Sequence, residues 1–118
     1  MSAESCSISI NRLKETTIVK CSGEIDSGTV SVLARALQNA ARSGKKHIIL
    51  DATELTYIDS SGILTLISFQ QKLQNENRRL AIIGCHGIFR KLITLSRLEN
   101  RLPMYTSLDE ALAEANAR

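Results

Sequence analysis

The chain has 118 residues and a mass of 13.0 kDa, which suffices for one compact domain and excludes a two-domain enzyme. Hydrophobic residues make up 43% and charged residues 23% of the sequence, so the composition excludes the disordered and collagen-like classes. The formal charge of +3 is small, the cations are scattered, and aromatic residues reach only 3%. Nucleic acid is therefore not expected as a partner.

The cysteines and the N-terminus bear on the compartment. Cys6, Cys21 and Cys85 form an odd set without CxxC spacing, and each lies in an apolar, strand-like context. We therefore expect reduced thiols and a cytoplasmic protein. Residues 1–5 contain neither a basic nor an apolar leader region, and no apolar run approaches the roughly 20 residues of a membrane span. Direct membrane insertion is not expected.

Hydrophobic periodicity predicts alternating strands and helices along the chain. Alternating apolar and polar residues from Cys6 onward predict a first strand, and residues 18–21 predict a second strand that is joined to it as a hairpin. Apolar residues at steps of three and four from Val30 predict an amphipathic helix, with Asp26 or Ser27 as its N-cap. The first half of the chain is thus expected to form two strands followed by a helix.

The second half of the chain continues the alternation. The uninterrupted apolar run at residues 47–51 predicts a central strand that is buried on both faces. Four more elements follow: a helix from Ser60 or Ser61 to about Asn77, a strand at residues 80–83, a helix around residues 88–95, and an edge strand at residues 104–105. A capping box at residues 107–110 opens a final helix. The order ββαβαβαβα predicts one α/β domain over residues 1–118, with a mixed, mostly parallel sheet of four to five strands and about four helices.

The most informative segment is residues 51–64, which includes Asp59-Ser60-Ser61-Gly62 and which we place as a loop between the central strand and the second helix. A loop at the carboxyl end of such a strand usually binds ligands or partners, and the free N–H groups of a helix N-terminus favour an added phosphate. The same spacing also fits a plain N-cap at Asp59 or Ser60, with Gly62 allowing close packing. Spacing alone leaves both interpretations open, and caps are the commoner feature.

Enzymatic interpretations lack residues that they require. A serine hydrolase needs a Gly-x-Ser-x-Gly turn, an acid and a histidine, whereas Ser60 follows Tyr57-Ile58-Asp59. A phospho-aspartate receiver could use Asp51, but the chain lacks the carboxylate pair and the lysine at the strand ends where that chemistry needs them. The adjacent Cys85-His86 pair is more simply structural than nucleophilic or metal-binding. We therefore expect no catalytic residue, no metal site and no cofactor.

Two short motifs resemble the landmarks of a known family. Asp59-Ser60-Ser61-Gly62 after an apolar strand, and Gly23-Glu24-Ile25-Asp26 upstream of it, are similar to the signatures of STAS domains, the sulphate-transporter and anti-sigma-factor-antagonist fold. The order of predicted elements fits this family over nearly the whole chain. The resemblance implies a single STAS-like domain that acts as a stand-alone anti-sigma factor antagonist. Such a protein sequesters an anti-sigma factor with serine kinase activity, is released by phosphorylation, and is reset by a phosphoserine phosphatase.

The resemblance also implies which residues act. The first serine of the motif, Ser60, is the expected phosphorylation site, and Ser61 is the fallback. The expected partner-binding residues are Gly23, Glu24, Asp26, Asp59, Ser60, Ser61, Gly62, Ile63 and Leu64. Leu64 departs from the family pattern, which often has a glycine or another small residue there. The alternative function is a constitutive STAS scaffold, or an accessory subunit of a regulatory assembly or membrane transporter.

Two surfaces are expected around the motif. If the second and third strands lie side by side, their ends bring Asp26 beside Ser60 and form an acidic rim that suits a basic partner. The members of this rim are Glu24, Asp26, Asp51, Glu54 and Asp59. The apolar residues from Ile63 to Phe69 cover more of the second helix than one buried stripe requires. The excess is expected either to pack under the sheet or to face a partner.

Overall fold

The sheet of this protein contains five strands, and four helices connect or flank them within residues 6–116, which are the residues that this computed structural model describes. Residues 1–5, where the sequence predicts no leader, and residues 117–118 lie outside the described part. The elements are β1 (Cys6–Arg12), β2 (Thr16–Ile25), α1 (Val30–Ala41), β3 (His47–Ile58), α2 (Ser60–Gln74), β4 (Arg79–Ile83), α3 (Gly87–Leu95), β5 (Met104–Tyr105) and α4 (Leu108–Asn116).

The strands lie in the order β1-β2-β3-β4-β5, so β3 is central as the apolar run predicts. β1 and β2 form the predicted antiparallel hairpin, and the remaining neighbours pair in parallel. Right-handed crossovers that all step in one direction place α1, α2 and α3 on one face of the sheet. The main core lies under these three helices, while Ala111 of α4 packs with Ile49 and Ile83 in a smaller cluster. The predicted α/β fold with a mixed sheet is confirmed.

β2 and β3 are longer than the sequence predicts. They extend to Ile25 and Ile58, so residues 51–58 lie in a strand and not in a loop. The ladder between the two strands shifts register twice, between Lys20 and Ser22 and between Gly23 and Glu24. Each shift places an extra residue in β3, so the buried positions of β3 after Asp51 are Ala52, Leu55 and Ile58, at intervals of three. The two-residue alternation that identifies a strand in a sequence is therefore lost in this part of β3.

The start of α1 also differs from the prediction. The helix begins at Val30, with Thr29 at the N-cap position and no side-chain cap bond. Asp26 closes the preceding turn instead, because its Oδ1 accepts the N–H groups of Gly28 at 2.9 Å and Thr29 at 3.2 Å. These are the bonds that an N-cap side chain makes, so Asp26 fixes the approach to the helix one turn early.

Gln70 joins α2 to the sheet at a place where β5 is too short to pair with β4. Its side-chain oxygen accepts the N–H of Leu80 at 2.8 Å, and its nitrogen donates to the carbonyl of Leu80 at 2.7 Å. The nitrogen also lies 3.2 Å from the carbonyl oxygen of Arg101. Since β5 pairs only with Ile82 and Ile83, the buried Gln70 amide replaces a strand partner for Leu80.

Replacing Gln70 by leucine should lower the free energy of unfolding by about 2–4 kcal/mol, because a buried N–H and a buried carbonyl lose their partner. Gln71→Leu is the matched control, since Gln71 is exposed in the same helix and should change stability by less than about 0.5 kcal/mol. Urea unfolding followed by circular dichroism measures both. Equal, small changes in the two variants would contradict the role of Gln70.

Candidate functional site

β2 and β3 end side by side, and the turns that follow them form one surface. Ile25 pairs with Ile58 at the last position of their ladder, and the N–H of Asp59 donates to the carbonyl of Ile25 at 3.0 Å. Asp26 and Asp59 are the next residues on the two strands, so the pairing holds their positions next to each other. The structure therefore brings the two turns together, as the sequence predicts.

Asp59 is the N-cap of α2. Its Oδ1 accepts the N–H of Ser61 at 3.0 Å, the N–H of Gly62 at 3.3 Å and the Ser61 hydroxyl at 2.6 Å. The Ser61 hydroxyl is the largest cause of an Asp59 pKa below its ordinary value, and the two N–H groups add to the effect. The capping interpretation is thus correct for Asp59.

The two serines of the motif differ in exposure and in the hydrogen bonding of their hydroxyls. Ser60 is the first residue of α2 and is exposed, and its hydroxyl has no hydrogen-bond partner among residues 6–116. The Ser61 hydroxyl is half-buried and donates to Asp59. Ser60 is therefore the serine that offers a free hydroxyl to solvent.

The expectation that free N–H groups at the start of α2 would favour a phosphate is wrong for two of these groups. The N–H groups of Ser61 and Gly62 already donate to the Asp59 carboxylate. What remains favourable for a phosphate on Ser60 is the positive end of the helix dipole, which is typically worth 0.3 to roughly 1 kcal/mol at an exposed site.

Gly62 allows α2 to begin close to the strand ends. A Cβ at this position would lie 2.6 Å from Cγ1 of Ile58 and 2.7 Å from Cγ2 of Ile25, closer than packed carbon atoms approach one another. The close-packing role that the spacing predicts for this glycine is confirmed. The contact seats the first turn of α2, and Ser60 with it, on the paired ends of β2 and β3.

Gly23 shapes the other half of the surface. Its φ of 92° lies in the left-handed region that favours glycine, at one of the two register shifts between β2 and β3. Its carbonyl accepts the hydroxyl of Thr56 at 3.0 Å. The sequence does not predict this bond, because Thr56 has the pattern of an ordinary surface position in a loop.

The predicted acidic rim divides into two parts. Three of its five carboxylates lie at the ends of β2 and β3: Glu24, Asp26 and Asp59. The other two lie within β3, where Glu54 pairs with Lys20 at 3.4 Å and Asp51 accepts the Thr53 hydroxyl at 2.6 Å. Asp51 precedes Asp59 by eight residues, about 25 Å of extended chain. Asp51 and Glu54 therefore do not belong to the surface around Ser60.

Ile63 and Leu64 face opposite environments. Ile63 is only 7% exposed and belongs to the core, like Leu66 and Phe69 in the same helix. Leu64 is 61% exposed. Core packing thus explains most of the broad apolar face of α2 but does not explain Leu64.

The environments of Cys21, Cys85 and His86 favour structural roles over reactive ones. Burial raises the pKa of Cys21 to about 12 and that of Cys85 to about 11, which disfavours the reactive thiolate. Nε2 of His86 lies 2.9 Å from the carbonyl oxygen of Thr53.

Among residues 6–116, no three His, Cys, Asp or Glu side chains are grouped so that they could hold a metal ion. None of the helices formed by these residues is both long and apolar enough to cross a membrane.

Comparison with known proteins gives the class of this domain. Residues 7–111 match the sequence model of the STAS domain, and the chain therefore belongs to the STAS domain family. It is 26% identical over 98 residues to an anti-sigma F factor antagonist of Paenibacillus polymyxa, a match that covers 82% of this chain and 84% of that protein. The resemblance that the two motifs carry is confirmed.

Two solved structures share the fold. The crystal structure of an anti-sigma factor antagonist from Mycobacterium paratuberculosis matches with a TM-score of 0.86 and 23% identity, over 96% of both chains. The phosphorylated form of SpoIIAA, a Bacillus cell fate determinant, matches with a TM-score of 0.71 and 21% identity, over 92% of this chain and 99% of that one.

Replacing Ser61 by alanine should raise the pKa of Asp59 toward its ordinary value, because the Ser61 hydroxyl is the main cause of the lowered value. A carboxyl ¹³C NMR titration measures it. Charged Asp59 contributes stability above the unfolded-state pKa of about 4 and loses it as the pH falls through the lower folded-state pKa. The stability difference between wild type and Ser61→Ala should therefore shrink below about pH 4.

The control for this titration is Thr53→Ala, which removes the equivalent hydroxyl bond to Asp51. This variant should leave the pKa of Asp59 unchanged. The assignment of the cap would be contradicted by an Asp59 pKa that stays the same in Ser61→Ala.

Proposed function

We propose that this chain is an anti-sigma factor antagonist that switches partners through Ser60. With a free Ser60 hydroxyl, it binds and sequesters an anti-sigma factor that has serine kinase activity. Phosphorylation of Ser60 by that kinase releases the complex, and a phosphoserine phosphatase restores the binding form. In this proposal the domain is a cytoplasmic binding switch without catalysis of its own.

The observation that carries the proposal is the difference between the two adjacent serines. Ser61 is committed to Asp59 at 2.6 Å, whereas Ser60 is exposed with an unbonded hydroxyl. A kinase can therefore reach Ser60 without breaking the cap of α2. Membership of the STAS family and the names of the relatives, which are anti-sigma factor antagonists, support the choice of partner.

The switch is electrostatic in this mechanism. A phosphate adds about −1.5 to −2 charges at Ser60, beside the existing charges of Asp59 and Asp26. A partner that closes over a neutral hydroxyl would then have to bury a dianion without gaining a new cation, which costs several kcal/mol. Because Asp59 holds the start of α2 whether or not Ser60 is modified, release requires no refolding of the domain.

The test is incubation of the purified protein with ATP and the kinase that co-purifies with it from its own host, followed by peptide mass spectrometry. We expect one phosphate, on Ser60. Ser60→Ala should accept none and bind the kinase constitutively, and Ser60→Asp should bind it poorly because it carries part of the phosphate charge. Ser61→Ala is the matched control and should still be phosphorylated.

Phosphate on Ser61, or only on Thr53 or Thr56, would overturn the assignment. Ser60→Ala should also change the free energy of unfolding by less than about 0.5 kcal/mol, because Asp59 and not Ser60 supplies the cap. A large loss of stability with unchanged kinase affinity would instead make Ser60 a structural residue. Capture of a transporter subunit and no kinase would favour the accessory-subunit alternative.

A further inference from the structure

A groove of about 330 Å³ lies between α1 and α2. Its lining includes Leu37 and Phe69, which are almost fully buried and form its floor. Leu64 also lines it and remains 61% exposed. The groove thus offers an apolar floor and a projecting leucine, the surface that a partner side chain can cover with a gain in buried apolar area.

The groove continues the surface around Ser60. Ser60, Leu64, Ser68 and Lys72 follow each other at steps of four residues along α2, and all four are exposed. Residues at this spacing form one row on a helix. A partner that lies along this row would therefore contact the Ser60 surface and the groove together.

The two ends of the groove differ in charge. The Ser60 end includes the ends of β2 and β3 and the first turns of α1 and α2, in residues 23–34 and 55–67. No lysine or arginine occurs in these two ranges, whereas Asp26 and Asp59 lie there. This end is acidic.

The other end of the groove is basic. A hollow of about 350 Å³ shares Lys72 with the groove and extends it to Arg42 and Arg78. Arg78 pairs with Glu76 at 2.9 Å, but neither Lys72 nor Arg42 forms an ion pair within the described residues 6–116. Two cations are thus available to a partner at the end remote from Ser60.

We infer that this groove binds an amphipathic helix of the kinase partner, with its apolar face on Leu64 and the floor, and with aspartate or glutamate over Lys72 and Arg42. The inference rests on the proposed function, because it specifies how the kinase that modifies Ser60 docks. α2 has 15 residues and is about 22 Å long. A partner helix of about four turns, with anchors at i, i+3 or i+4 and i+7, spans this length.

The kinase, and not a second copy of this chain, is the occupant that fits the row of exposed residues. A second copy seated on Leu64 and Lys72 would lie over the row that begins at Ser60 and would hinder the kinase. A kinase helix in the same place holds Ser60 close to the kinase active site. Docking and phosphorylation then use one continuous surface.

The experiment measures steady-state phosphorylation of Ser60 by the co-purified kinase in Leu64→Ala and Lys72→Glu. Leu64→Ala should raise KM about tenfold with kcat unchanged, because it removes binding and not chemistry. Lys72→Glu should raise KM several-fold, and the effect should shrink as salt is added. Calorimetry with the same kinase should show matching losses of affinity.

The matched controls are Leu95→Ala and Lys91→Glu, exposed positions on α3, which should keep wild-type KM. If both groove variants keep wild-type KM and Ser60 is still phosphorylated, the groove is not the docking site of the kinase, and the proposed function is left intact. A Leu64-dependent dimer in sedimentation experiments would assign the groove to a second copy of this chain and would also contradict docking of the kinase there. Failure of the kinase to phosphorylate wild-type Ser60 would remove the proposed function itself.

Discussion

The pairing of the last residues of β2 and β3 is the constraint on which the site depends. Ile25 and Ile58 end the ladder together, and the N–H of Asp59 donates to the carbonyl of Ile25 at 3.0 Å. Gly62 then lets α2 sit directly on these two isoleucines. One set of backbone and packing contacts therefore fixes where Ser60 and Asp26 lie relative to each other.

Capping and switching are carried by different residues of the same motif. Asp59 uses one carboxylate oxygen for two N–H groups and the hydroxyl of Ser61. This arrangement orders the helix start and leaves the Ser60 hydroxyl unbonded among the described residues. The two interpretations that the spacing left open are thus compatible, since the structural role falls on Asp59 and Ser61 and the proposed chemical role on Ser60.

Periodicity and motifs predict much of this fold. The hairpin, the central β3, the helix that begins at Ser60 and the short β5 follow from residue patterns that each element displays by itself. The extension of β3 could not be predicted in this way, because its bulges put the buried residues Ala52, Leu55 and Ile58 at intervals of three and not two. The prediction that Asp51 and Glu54 belong to the acidic rim is wrong for this reason, since both lie within β3.

Contacts between distant elements account for what else the sequence does not predict. In the sequence, Gln70 has the pattern of an ordinary polar residue in an amphipathic helix. Its amide replaces a strand partner for Leu80 only because β5 is short. The exposure of Leu64 likewise depends on how α1 and α2 are spaced. Such roles depend on which element lies opposite a residue, and a local pattern does not contain that information.

The most direct test of the shared surface is the affinity of Asp26→Asn for the co-purified kinase at low salt. Asparagine keeps the acceptor oxygen that Gly28 and Thr29 use but removes the charge. We predict weaker kinase binding with a nearly unchanged Tm. Asp51→Asn makes the same change in the other group of carboxylates and should bind like wild type. Wild-type affinity in Asp26→Asn would contradict the account and restrict the surface to Ser60 and its helix.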